Sequence, residues 1–282
     1  MRKIIRRIAN YFGYEVMRLA QSLNNQPRYL WLNDQKFHEI YQDSLKATHK
    51  GDFFPSKVRN YTLIQLASYV SQRFHNYPEQ NFVEAGIARG TTLFQLCSVL
   101  KGGRHKIYAF DSFQGLSART KEDVTSEFDI EKSLPASKIG SDGGRMAYSL
   151  EDVRESLKDF DFIEYHKGWI PDSFAHVPER QYLFVHVDLD LYQPTLAAFA
   201  YFYPRLVAGG VMVCDDYGFM SWPGAYKAVE EFSRRYHEPV IRLPTGQAVI
   251  IKQARPEQIN SSVSAHRAFR AESQIQQPAR SF

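Results

Sequence analysis

Apolar positions follow two different patterns along this chain. Short stretches at 81–85, 106–110, 162–166, 182–187 and 211–214 are rich in β-branched and aromatic residues and bounded by turn formers. That is the pattern of strands buried in a parallel sheet. Between and after them, apolar residues recur at helical spacing over 91–100, 150–159, 194–203 and 224–236. Ser149 precedes the second of these helices with Asp152 three residues on, a helix-start signature. Two closing strands are expected at 240–242 and 247–252. Strand alternating with helix predicts an α/β fold: a doubly wound, mostly parallel, seven-stranded sheet with helices on both faces.

Helical patterns also precede the sheet. Residues 33–47 and 56–75 are expected helices, the latter with Leu63, Leu66, Ala67 and Val70 along one face. Residues 1–23 form a basic amphipathic pattern, with Ile4, Ile5 and Ile8 set against Arg2, Lys3, Arg6 and Arg7. Such a helix packs on its own domain or on a second subunit, or lies on an anionic membrane surface. The expected organisation is a helical cover over 1–78, an α/β domain over 79–253 and a mobile tail over 254–282. The segment 112–148 carries Gly115, Pro135, Gly140 and Gly143-Gly144 and is too long for a plain connection, so a lid or substrate loop is expected there.

Composition narrows the class. A chain of 282 residues, 44% of them hydrophobic, can bury one large core. The net charge of +4 is concentrated at the start, so no nucleic-acid groove is inferred. Cys97 and Cys214 lie in apolar helix and strand patterns, outside any metal or redox motif. Two buried thiols fit a reducing compartment, and the expected location is the cytoplasm. No apolar run approaches the length of a membrane span.

The chemistry concentrates where two central strands end. His186-Val187-Asp188-Leu189-Asp190 closes one, and Cys214-Asp215-Asp216 closes the next. The helix between makes them one βαβ unit, so both acidic pairs lie at the carboxyl edge where open α/β sheets bind ligands. Four carboxylates there resist ionising together, and a divalent cation relieves that strain. Ligation by carboxylates suits Mg²⁺, Mn²⁺ or Ca²⁺ rather than zinc. Aspartates at strand ends also cap helices and loops; it is their pairing on consecutive strands that favours a cation. His166 and His186 are alternative bases, although strand histidines are commonly structural.

A second motif lies earlier. Val83-Glu84-Ala85-Gly86-Ile87-Ala88-Arg89-Gly90-Thr91-Thr92 reads as strand, glycine turn and helix start. It lacks the G-x-G-x-x-G dinucleotide fingerprint. Asp111 closes the following strand, where an acid can accept hydrogen bonds from both ribose hydroxyls. Glu84 repels phosphate and suits a cationic or hydroxyl-bearing ligand. S-adenosylmethionine, a sulfonium without phosphates, matches that chemistry. The expected cofactor contacts are Glu84, Ala85, Gly86, Gly90, Thr91, Thr92, Asp111, Ser112 and Ser149.

These segments, with Phe110-Asp111-Ser112-Phe113-Gln114-Gly115, the stretch 203–210 and Asp215-Asp216-Tyr217-Gly218, resemble the macrocin O-methyltransferase family over roughly residues 80–252. The resemblance implies a class I, Rossmann-like methyltransferase fold, S-adenosylmethionine and Mg²⁺ as cofactors, and O-methylation of a sugar, glycan or other natural product. It makes Asp188, Asp215 and Asp216 metal ligands and Asp190 the general base. In that reading the cation lowers the pKa of the acceptor hydroxyl, Asp190 takes its proton, and Tyr192, Trp169 and Trp222 are candidates for the acceptor wall. Two other classes compete. A non-catalytic glycan- or membrane-associated binding protein is motivated by the basic start and opposed by the intact carboxylate set. A nicotinamide-dependent oxidoreductase is opposed by the missing third glycine and by Glu84. A homo-oligomer stays open.

Overall fold

The computed structural model describes residues 30–124 and 146–254. The basic pattern at 1–23, the centre of the 112–148 segment and the tail beyond 254 lie outside the described residues. Residues 1–35 form a unit of their own, in which Leu30–Leu32 makes a 3-10 turn.

The main unit is built on one seven-stranded sheet. Its strands are β1 (Gln80–Ala85), β2 (His105–Asp111), β3 (Ile163–Lys167), β4 (Tyr182–Val187), β5 (Leu206–Cys214), β6 (Ile241–Arg242) and β7 (Ala248–Ile251), in spatial order β3-β2-β1-β4-β5-β7-β6. β1 to β5 run parallel; β7 pairs antiparallel with β5, and β6 pairs antiparallel with β7 at the edge, so β7 alone runs against the others. The helices are α1 (Gln35–Ala47), α2 (Phe54–Arg73), α3 (Thr91–Leu100), α4 (Leu150–Ser156), α5 (Tyr192–Arg205) and α6 (Pro223–Tyr236).

Strand alternation sorts the core into two layers. Phe82, Phe184, Val211 and Val213 face Leu63, Ala67 and Val70 of α2 and Leu93 and Leu96 of α3. Val83, Val185 and Met212 face Ala198, Phe199 and Phe202 of α5 and Val229 and Phe232 of α6. Each such side chain contributes about 1.5–3 kcal/mol on burial, which is why both faces need helices. The chain winds outward from β1 through β2 to β3, then returns to start again at β4 beside β1. The strand order therefore reverses between β1 and β4, and the crevice beyond their carboxyl ends is the binding position of this architecture. Gly86 follows β1 there, and Asp188 follows β4.

One boundary differs in kind from the sequence expectation. The pair Gly209-Gly210 reads as a connection, yet it lies inside β5. Gly209 takes φ +80°, and the pairing with β4 jumps from Tyr182↔Leu206 to Phe184↔Val211. The glycines make a bulge in a strand instead of a loop before one. A Cβ on Gly210 would meet the Leu206 side chain at 2.9 Å and the Leu183 carbonyl at 3.0 Å.

Candidate active site

The crevice starts with the turn after β1. Gly86 has φ +93°, donates its N–H to Phe110 O at 2.8 Å, and lies so close to β4 that a Cβ would sit 1.8 Å from the Asp188 carbonyl oxygen. Only glycine fits that approach. Asp111, at the end of β2, ties the turn down. One carboxylate oxygen accepts from Ile87 N at 2.7 Å and Ala88 N at 3.0 Å, and the other accepts from Phe113 N at 2.6 Å. Three of about four acceptor positions are therefore filled by backbone. Asp111 keeps room for one ligand hydroxyl, fewer than the ribose pair expected of it. Ser112 follows with its hydroxyl between Gly115 O at 2.9 Å and Gln114 N at 3.0 Å.

The acidic edge stands opposite. Oxygens of Asp188, Asp215 and Asp216 lie within 4.8 Å of one another. Asp190 is outside that set. It leaves β4 at φ +60° in a three-residue turn closed by Leu191 N to Leu189 O at 2.5 Å, and donates its own N–H to Asp216 Oδ2 at 3.0 Å. Aspartate is one of the few residues besides glycine that enters this left-handed region readily. Asp215 is gripped from three directions. Arg59 of α2 pairs Nη1 with its Oδ2 at 2.6 Å, with the guanidinium 4.8 Å over the Phe219 ring. Gln247 Nε2 donates to its Oδ1 at 2.8 Å, and His186 Nε2 lies 3.5 Å from the same oxygen. On its other side His186 Nδ1 meets Glu84 Oε2 at 2.9 Å.

Electrostatics follow from this arrangement. Burial, reinforced by the neighbouring aspartates, raises Asp188 and lifts Asp190 and Asp216 well above the carboxylate range. Burial works on Asp215 too, but His186, Arg59 and Gln247 outweigh it and hold that group at about 2. Burial disfavours charge on His186, yet Glu84 and Asp215 raise it well above its ordinary value. Glu84 itself is raised, because burial exceeds the pull of His186. Of the five acids here, Glu84 and Asp215 have ion-pair partners among the described residues, in His186 and Arg59, and Asp188, Asp190 and Asp216 have none. The Asp188 carboxylate has no hydrogen-bond or ion-pair partner among the described residues, although its backbone N–H donates to Ala85 O. Hard oxygen donors in negative excess, in a desolvated corner, fit a divalent cation held by Asp188, Asp215 and Asp216.

Both motifs open into one cavity of about 500 Å³. Gly86, Ala88, Asp111 and Ser112 line one part, Asp188, Asp190 and Asp216 another, and Trp169, Phe219 and Trp222 the walls between. A second cavity of about 340 Å³ shares Lys50, Ala88, Met146 and Asp188 and adds Arg89, Thr91 and Thr92.

Four of the residues expected at the cofactor lie outside the walls of both cavities. Glu84 is 1% exposed and turned under the sheet toward His186. Ala85 points into the opposite layer, and its carbonyl accepts from Asp188 N at 2.8 Å. Gly90 opens α3 at φ +85° and packs on α4, where a Cβ would meet Leu157 at 2.7 Å. Ser149 caps α4, accepting from Asp152 N at 3.0 Å. Tyr192 bonds Glu231 on α6 and does not reach the cavity, unlike Trp169 and Trp222. His166 is stacked on Phe110 at 4.6 Å, away from the acidic edge. Sequence reasoning missed Arg59 and Gln247. Arg59 sits in no motif, Gln247 lies in the segment 244–248 without a signal of its role, and each reaches Asp215 only through tertiary packing.

A model of the macrocin-O-methyltransferase (TylF) family matches residues 56–253. The chain belongs to this family. Among curated relatives, the 8-demethyl-8-(2,3-dimethoxy-alpha-L-rhamnosyl)-tetracenomycin-C 4'-O-methyltransferase of Streptomyces olivaceus is 25% identical over 163 residues, 55% of this chain and 59% of that protein. Mycinamicin III 3''-O-methyltransferase of Micromonospora griseorubida is 27% identical over 161 residues, 55% of this chain and 60% of that one. The chain thus spans less than two thirds of the length of the curated relatives it matches. Among solved structures, the O-methyltransferase NovP aligns with a TM-score of 0.57 at 23% identity, over 70% of this chain and 80% of that chain. That likeness shows the Rossmann-like methyltransferase fold. Among the described residues, no helix is long and apolar enough to cross a membrane.

Proposed function

We propose that this protein is an S-adenosylmethionine-dependent O-methyltransferase acting on a hydroxyl of a sugar, glycan or other natural product. A divalent cation, held by Asp188, Asp215 and Asp216, assists it. The observation that carries this reading is the single cavity in which the Gly86–Asp111 turn and the acidic edge face each other. The curated relatives are named O-methyltransferases, which supports the same reaction class.

S-adenosylmethionine supplies a sulfonium methyl, and the cation supplies a Lewis acid that favours the alkoxide form of an acceptor hydroxyl. The chain's own residues do the rest. Gly86 and Asp111 fix the cofactor turn. Trp169 and Trp222 give apolar walls that exclude water and orient an acceptor. Asp190, buried and outside the ligand set, takes the acceptor's proton; burial and the neighbouring aspartates raise its pKa and so its basicity. The non-catalytic alternative has no comparable support, because a binding protein gains nothing from four closely set, mutually repelling acids, three of them buried.

The test is a mass-spectrometric screen of hydroxylated sugars and glycosides incubated with the protein, S-adenosylmethionine and Mg²⁺. A methyl gain on a hydroxyl, lost with chelator, is the expected result. Failure of the protein to bind S-adenosylmethionine in calorimetry, with no methylated product, overturns the proposal.

A further inference from the structure

We propose that Glu84 and His186 form a buried relay that fixes the orientation of Asp215, so that the acid of the first strand serves the metal ligands and not the cofactor. This rests on the cation reading given above. Three central strands set the relay. Glu84 is the register partner of His186, and His186 that of Val213, so Asp215 two residues on comes to the same side of the sheet. Glu84 Oε2 meets His186 Nδ1 at 2.9 Å, and His186 Nε2 faces Asp215 Oδ1 at 3.5 Å. Glu84 is 1% exposed and His186 0%.

This polar line crosses a layer whose other members are Phe82, Phe184, Val211 and Val213. Apolar residues there would be as stable or more so, since a buried ion pair is costly to desolvate. Glu84 Oε1 has no hydrogen-bond partner, so within the described residues His186 is the group Glu84 holds. Both ring nitrogens of His186 face carboxylates, which leaves none for a substrate. With Gln247 on Oδ1 and Arg59 on Oδ2, the relay completes a frame that lets Asp215 meet Asp188 and Asp216 in one geometry. Ligands held by a frame of this kind lose metal affinity when the frame is cut. Glu84 and His186 are positioning residues in this account.

The experiment measures two affinities on the full chain: Mn²⁺ by electron paramagnetic resonance titration, and S-adenosylmethionine by calorimetry. Glu84→Gln should raise the Mn²⁺ dissociation constant about 10–100-fold and leave cofactor affinity within about twofold, the scale seen when a ligand's outer partner is removed. Glu84→Asp, which keeps the charge but shortens its reach, should move in the same direction and serves if Glu84→Gln does not fold. In a His186→Gln background, Glu84→Gln should cost nothing further, because Glu84 acts through His186. Mn²⁺ affinity unchanged in both Glu84 variants, a loss confined to the cofactor, or additive losses in the cycle would overturn the relay. Absence of Mn²⁺ binding by the unmutated protein would instead sink the cation reading, and the relay with it.

Discussion

Gly86 offers a sharp physical test of how the crevice is built, because the same chain contains its control. Gly86 and Gly102 hold nearly the same angle, φ +93° and +89°. An alanine at either position carries the cost of a left-handed backbone, about 1–3 kcal/mol. At Gly102 nothing lies within 4 Å of the added methyl. At Gly86 it would sit 1.8 Å from the Asp188 carbonyl oxygen, which is backbone and cannot swing aside. Forcing β1 and β4 apart there adds an overpacking cost of about 1–3 kcal/mol. Gly86→Ala should therefore lose about 2–6 kcal/mol in total, against about 1–3 for Gly102→Ala. Urea unfolding of both variants, followed by circular dichroism, reads the difference from the midpoints at equal slope. Gly86→Ala should also weaken Mn²⁺ binding, since Asp188 moves with its carbonyl. Equal midpoints and unchanged Mn²⁺ affinity would refute the close approach as the reason for glycine.

Asp111→Ala frees three backbone amides and should lower both stability and S-adenosylmethionine affinity by about 1.5–3 kcal/mol each, the scale for hydrogen bonds to a charged group; unchanged affinity in calorimetry would move the cofactor off this turn. The acidic edge should also write itself into stability against pH. Asp188, Asp190 and Asp216 keep their protons to higher pH when folded than when unfolded. Without cation, then, stability should fall as pH rises from the unfolded carboxylate range near about 4 through those raised values. Asp215, held at about 2, contributes the opposite way: its share is present above the unfolded value and lost only as pH falls toward 2. Mg²⁺ should abolish most of the loss on the alkaline side, as read by thermal melts at several pH values with and without the ion. A pH profile that Mg²⁺ leaves unchanged would contradict the assignment.

The fold was legible where local and global signals agree. β4 is a buried run, apolar except for His186, that is followed by acids, and Ser149 caps its helix as its spacing predicts. Gly209-Gly210 misled because a glycine pair is a breaker by local rule, while here neighbouring strands turn it into a bulge. The acidic edge was legible because its members lie close to strand ends in one βαβ unit. Glu84 was harder. Its parity with Phe82 places it under the sheet, but only the adjacency of β1 and β4 reveals His186 as its partner. Arg59 carries no signal, since it reaches Asp215 from α2 across the whole domain sequence. The left-handed turn at Asp190 is equally silent, because aspartate tolerates that angle without a marker residue.

The central claim divides the acids into ligands and a base, and one measurement separates them: the rate of methyl transfer to an acceptor from the screen, against Mg²⁺ concentration, for Asp190→Asn and Asp215→Asn. Asp190→Asn keeps shape and the ligand set but removes the proton acceptor, so its rate should stay about 10²–10⁴-fold down at every Mg²⁺ concentration. Asp215→Asn should lose cation affinity first and recover part of its rate as Mg²⁺ rises. Rescue of Asp190→Asn by Mg²⁺, with Asp215→Asn inactive throughout, would reverse the two roles, and full activity in both variants would contradict the account of this edge altogether.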